Sequence, residues 1–229
     1  LILDLIRCTV LHASNELPAP ISALSFAPSS TRVAVGLWCG PTEKPGAARV
    51  YGLNPFKELL QLDVYGQNLK QILFSTNGRS IVTNSERGDY FQSEHLEIRD
   101  MRTKRPPKWM EASEDARNRY AERSWVQGWD TESGKKRVEY IGHTDVVHHV
   151  SFSADGRNLV TAASDGGTRI WDAETGNELQ RLFRTEQDVY RAAFSSDGRR
   201  VATKSDDDAV RVWNVRNGEL LREYIDHHA

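Results

Sequence analysis

Two cysteines, Cys8 and Cys39, are the only thiols in 229 residues. That is too few for a disulfide scaffold, so both are expected to be reduced and the protein to be cytoplasmic or otherwise intracellular. No apolar run approaches the ~20 residues that span a bilayer, and the opening LILDLI is short and interrupted by Asp4. Neither sign of charge dominates: 30 Lys+Arg against 32 Asp+Glu leave a net charge of −2, hence no global basic field for nucleic acid or an anionic membrane. Motifs of catalysis are equally scarce. There is no G-x-x-x-x-G-K-[ST] and no G-x-S-x-G, and Gly166-Gly167 reads as a turn. An initiator Met is lacking as well, which leads to the expectation of a processed product or fragment.

What the chain does have is repetition. Trp129-Asp130, Trp171-Asp172 and Trp213-Asn214 are 42 residues apart, and each precedes a polar turn and a short apolar run. Phe152 in VSFSADGRNLVTAAS and Phe194 in AAFSSDGRRVATKS repeat at the same interval. Two β-rich runs joined by S-x-D-G-R predict a hairpin. Weaker copies, LSFAPSSTRVAVG around Phe26 and ILFSTNGRSIVTN around Phe74, bring the number of repeats to four. A period near 40 residues is the mark of a repeat architecture.

These residues resemble the WD-repeat family, whose unit runs from a Gly-His pair through two β runs to Trp-Asp; Gly142-His143 through Trp171-Asp172 carries the whole pattern. The resemblance implies an all-β propeller of four-stranded antiparallel blades, part of a ring of seven or eight. It divides the chain into the end of a preceding blade (1–12), blade A (20–63), blade B (66–141), blade C (142–183), blade D (184–225) and the start of another (226–229). In blade B, HLEIRD ending at Asp100 and SWVQGWD ending at Asp130 both fit the third strand. Pro106-Pro107 and the helix-favouring MEASEDARNRYAER between them predict an insertion over 104–123, with a short helix near 106–123.

The family's buried hydrogen-bond network falls here on His143, Thr161, Asp165 and Trp171. Blade D retains Thr203, Asp207 and Trp213 but has Thr185 for the histidine. Blades A and B, with Leu17 and Tyr65 in that place, are expected to have no such network. As buried, mutually satisfied groups these residues are structural, and no catalytic residue is assigned. No metal or cofactor is expected either: His148 and His149 are adjacent on a strand and so point to opposite faces, and Asp206-Asp207-Asp208 reads as a solvated turn. The basic stretch RTKRPPKW is followed at once by Glu111, Glu114 and Asp115, against nucleic-acid binding.

Function is therefore expected on a surface. WD-repeat propellers act as platforms, and the resemblance implies binding of other proteins or peptides on the face made by the loops between blades and those joining second and third strands. Carried over by position, that face takes in Ser22, Asn68, Lys70, His148, Ser164, Asp188, Tyr190 and Asp206, with Trp38, Tyr90 and Phe91 in its longer loops. Exposed aromatics concentrate binding energy, which singles out Tyr190. The alternative is a sensor propeller of a larger signalling protein, with an NTPase or other effector domain outside this chain, because WDAETGNELQRLF and WNVRNGELLREYI resemble propellers joined to such modules.

Overall fold

A turn of the form Ser-x-Asp/Asn-Gly closes on itself through local bonds, and three of the chain's sheets begin with one. In the computed structural model, Ser153 Oγ donates to Asp155 Oδ1 (2.6 Å), the same Oδ1 accepts the Arg157 amide (3.1 Å), and Gly156 N–H returns to the Ser153 carbonyl (2.9 Å). Ser75-Asn77-Gly78 and Ser195-Asp197-Gly198 repeat the arrangement. The glycine is needed because its φ is near +70° in each case, a left-handed conformation that costs other residues about 1–2 kcal/mol. The structure describes residues 2–4, 9–12, 20–37, 47–64, 68–86, 124–182 and 187–225.

The described residues form four four-stranded antiparallel sheets, three of which carry that turn between their first and second strands. Sheet A runs β3 (Ile21–Phe26), β4 (Arg32–Leu37), β5 (Ala47–Leu53), β6 (Phe56–Asp63); sheet B runs β7 (Asn68–Phe74), β8 (Ser80–Glu86), β9 (Ser124–Asp130), β10 (Lys136–Glu139). Sheet C contains β11 (Val147–Phe152), β12 (Asn158–Ala163), β13 (Thr168–Asp172) and β14 (Glu178–Leu182), and sheet D β15 (Val189–Phe194), β16 (Arg200–Ser205), β17 (Ala209–Asn214) and β18 (Leu220–Ile225). Each pairs its strands in chain order, and a two-stranded sheet of β1 (Ile2–Asp4) and β2 (Thr9–His12) precedes them. No helix occurs among the described residues; the insertion expected over 104–123 lies outside them. The third strand of sheet B is SWVQGWD, because β8 pairs with β9 over seven residues from Ser80↔Asp130 to Glu86↔Ser124.

Consecutive sheets pack face to face through separate apolar cores. Ala34, Ala48, Val50 and Leu62 of sheet A meet Leu69, Ile72, Ile81 and Trp129 of sheet B. Val82, Val126 and Tyr140 of sheet B meet Val150, Leu159 and Trp171, and Val160, Ile170 and Leu182 of sheet C meet Val189, Val201 and Trp213. Side chains also brace the innermost strands. Gln71 Oε1 accepts the Val150 amide (2.8 Å), His149 Nδ1 lies 3.0 Å from the Ala192 carbonyl, and Ser25 Oγ accepts the Phe74 amide (3.1 Å). Burial, and next to it the charge of Arg191, lowers the pKa of His149, partly offset by its bond to Ala192.

The two end sheets differ from the inner ones. Leu24 is 58% exposed, whereas Ile72, Val150 and Ala192, at the same register position of β7, β11 and β15, are 1% exposed. On the far face of sheet D, Tyr224 is 61% exposed, while its counterparts Leu62, Tyr140 and Leu182 are buried.

Two turns depart from the glycine rule. Ser30 has φ 55° where Gly78, Gly156 and Gly198 stand in the other sheets, and Asp208 has φ 56° where sheet C has Gly166. Ser30→Gly and Asp208→Gly are each expected to stabilise the fold by about 1 kcal/mol, read as a rise in the urea midpoint. A fall in both midpoints would show that the lost side-chain contacts outweigh the relieved backbone.

Candidate functional site

In sheet C a relay of hydrogen bonds crosses from the core to the turn surface. Trp171 Nε1 donates to Thr161 Oγ1 (2.9 Å), Thr161 Oγ1 lies 2.6 Å from His143 Nε2, and His143 Nδ1 lies 3.0 Å from both oxygens of Asp165. One ordering of hydrogens satisfies every group: the indole donates to the threonine, the threonine to Nε2, and Nδ1–H to the carboxylate. Asp165 also accepts the amides of Thr144 (3.0 Å) and Gly167 (2.9 Å). Burial by itself would raise the Asp165 pKa, but the hydrogen bond from His143 and these amides outweigh it and hold the carboxyl well below the usual range. The residues around the relay are small for a reason. A Cβ on Gly142 would overlap the Arg169 guanidinium, and one on Gly167 would sit 2.8 Å from Asp165 Oδ1.

Thr161 is completely buried and Trp171 1% exposed, so a Thr-His-Asp set that looks like part of a nucleophilic triad is closed to any substrate.

Sheets B and D hold shortened versions. Trp213 Nε1 donates to Thr203 Oγ1 at 2.9 Å, but Asp207 turns to Arg211, whose Nη2 donates to Oδ2 (2.6 Å), and accepts Ser205 Oγ (2.5 Å) and the Ala209 amide (3.1 Å). The bond from Arg211 is the chief reason the Asp207 pKa lies far below normal. The equivalent Arg169 stays 3.8 Å from Asp165, where His143 is already bound. In sheet B, Trp129 Nε1 donates to Thr83 Oγ1 at 2.9 Å. This corrects the expectation that sheet B has no network: the indole–threonine pair survives without the histidine. The signal was in the sequence, since Thr83, Thr161 and Thr203 each stand nine residues after the repeat phenylalanine. Leu17, Tyr65 and Thr185 lie outside the described residues.

Residues 134–172 and 176–214 match the family model of the WD domain, G-beta repeat. Together with the four-stranded antiparallel sheets, these two adjacent repeats support a WD-repeat family for the chain. No curated protein matches it. The two matched stretches end on Trp171-Asp172 and Trp213-Asn214, the residues that close the relay in sheets C and D.

Of the described surface residues read from the sequence, all but Ser22 fall into two groups. His148, Ser164, Asp188, Tyr190 and Asp206 form one connected cluster at the edge shared by sheets C and D. His148 Nε2 lies 2.6 Å from Ser164 Oγ, Ser164 donates to Asp188 Oδ2 (3.0 Å), the His148 and Tyr190 rings meet with centroids 5.0 Å apart, and Tyr190 Oη donates to Asp206 Oδ1 (3.3 Å). In the second group Glu86 of sheet B accepts Asn68 Nδ2 (2.8 Å) and pairs with Lys70. Ser22 is exposed on β3, apart from both. Trp38, Tyr90 and Phe91 lie outside the described residues, as do Cys8 and Cys39.

The cluster contains a serine, a histidine and an aspartate, yet their order is not that of a triad. Asp188 contacts Ser164 and the same His148 nitrogen (3.6 Å) that faces the serine, so it does not orient the ring through the opposite nitrogen. With the serine hydrogen directed to Asp188, His148 Nε2 is the donor toward Ser164 and cannot take its proton. Among the described residues no group of three His, Cys, Asp or Glu side chains is placed to hold a metal.

Proposed function

We propose that this WD-repeat chain is a non-catalytic scaffold that grips a partner protein or peptide on the edge carrying Tyr190, in an intracellular setting. WD repeats generally mediate protein–protein interaction, and one observation points to this edge. Tyr190 is 37% exposed, yet it is held by the His148 ring on one side and Asp206 on the other. A large ring already fixed in place loses little conformational entropy when a partner covers it, the property that makes tyrosine an anchor. Lys70 and Asn68 extend the same edge on sheet B. The uncovered faces at Leu24 and Tyr224 fit a ring that continues with further blades, and a longer chain that covers them should melt at a higher temperature than this one.

A photo-crosslinking side chain at Asp208, exposed in the β16–β17 turn beside Asp206, is expected to capture a partner, and one at Thr175, in the turn joining β13 to β14 at the opposite edge, to capture none. Tyr190→Ala combined with Lys70→Ala should reduce capture at least about tenfold, the loss of one anchor, while leaving the thermal midpoint within a few degrees. Undiminished capture by the double variant would reject this edge.

A further inference from the structure

At the far edge of sheet A the repeat breaks its own pattern. In sheets B, C and D the residue after the tryptophan position, Asp130, Asp172 or Asn214, folds its side chain over the turn into the fourth strand: Asp172 Oδ1 accepts the amides of Glu174 (3.1 Å) and Thr175 (2.7 Å), and Asp130 and Asn214 do likewise. Sheet A has Gly52 there, so that corner has neither the side chain nor the carboxylate. An open cavity of about 340 Å³ lies there, lined by Arg32, Lys57 and Thr31 together with Leu53, Pro55 and Leu59. That volume lies within the range of small-ligand sites.

The electrostatics of the corner run one way. Among the described residues no Asp or Glu lines the cavity. Among the described residues Arg32 donates to the Thr131 carbonyl (3.1 Å), and neither Arg32 nor Lys57 pairs with a carboxylate. The nearby Glu58 is bound to Arg49 (2.7 Å). Two cations without a counter-charge among the described residues, a hydroxyl and aliphatic lining are complementary to an anion carried on an apolar body. The site is independent of the edge proposed for partner binding, which lies at the opposite ends of the strands.

We propose that this corner of sheet A binds a small organic anion, with a carboxylate or phosphate between Arg32 and Lys57 and its apolar part on Leu53 and Leu59. The repeat itself supplies the test. A Cβ on Gly52 meets Leu59 and Pro55 at 3.5–3.7 Å, ordinary contact, so Gly52→Asp restores the residue type of sheets B and C without a clash, and its carboxylate takes up part of the cavity and offsets one of its two positive charges.

The 229-residue chain would be titrated with phenyl phosphate, phenylacetate and neutral benzyl alcohol while the amide signals of Thr31 and Leu53 are followed by NMR. Saturable shifts are expected with at least one anion and none with benzyl alcohol, and whether phosphate or carboxylate binds tighter distinguishes the two head groups. Gly52→Asp and Lys57→Glu should each weaken binding at least about tenfold, the loss of one charged contact, with unchanged melting temperature. Absence of saturation, equal shifts with benzyl alcohol, or full binding by Gly52→Asp would overturn the site.

Discussion

Trp171→Ala is expected to destabilise the fold by about 3–5 kcal/mol, the range for emptying a large aromatic site in a packed core. The indole lies in the junction between sheets B and C with Val82, Val126 and Tyr140 on one side and Val150 and Leu159 on the other. It meets Tyr140 edge-on at 6.0 Å, and Tyr140 in turn donates from Oη to the Ala173 carbonyl (2.7 Å). A cavity here therefore loosens two sheets at once and leaves the buried Thr161 hydroxyl without its donor. Trp171→Phe separates the two losses. It keeps the larger part of the volume and removes the N–H, so a smaller loss, about 1–3 kcal/mol, should follow. Urea unfolding followed by circular dichroism measures both. A cost below about 1 kcal/mol for the alanine variant would mean that the junction does not rely on this ring.

The second large effect is expected at Asp165. Asparagine there keeps the shape but has one acceptor oxygen in place of the carboxylate pair that now faces His143 Nδ1, Thr144 N and Gly167 N. Losing the charge and part of these bonds should cost about 2–4 kcal/mol. The pH dependence follows in sign. The carboxyl titrates well below its ordinary value in the folded protein, and near ~3.9 when unfolded. The unfolded state therefore binds the proton more readily, and the stability Asp165 contributes, fully present above pH ~4, is lost as pH falls from there toward the folded-state value. Asp207, depressed by Arg211, acts in the same direction. The urea midpoint of the native chain should thus fall between about pH 5 and about pH 2, and less steeply for Asp165→Asn. Parallel profiles for the two proteins would show that Asp165 is not a source of the acid sensitivity.

Much of this was legible because the repeat is local. In sheet C the threonine and tryptophan of the relay are 10 residues apart, on paired strands joined by a tight turn, and the interval of 42 exposes the same pair in sheet D. The pair in sheet B went unread for a physical reason: Thr83 and Trp129 are 46 residues apart, because the sequence between β8 and β9 is long. Strand pairing can tolerate such an insertion, since the hydrogen bonds depend on register and not on what the connecting residues do. Periodicity alone left two candidates for that strand, and only the ladder of β8 with β9 chose between them.

The sequence by itself determined the unit of this protein: four hairpin-rich repeats, their glycine turns, and the tryptophan, threonine, histidine and aspartate of sheet C. These depend on neighbours within one sheet, and residue spacing carries that information. Only the tertiary structure decided what the repeats do to one another. That Tyr190 leans on His148 of the neighbouring sheet, and that Gly52 leaves a cationic corner where other sheets place a capping side chain, both depend on contacts across or around sheets. Such contacts are set by packing distance and unpaired charge, and neither can be read from a one-dimensional interval.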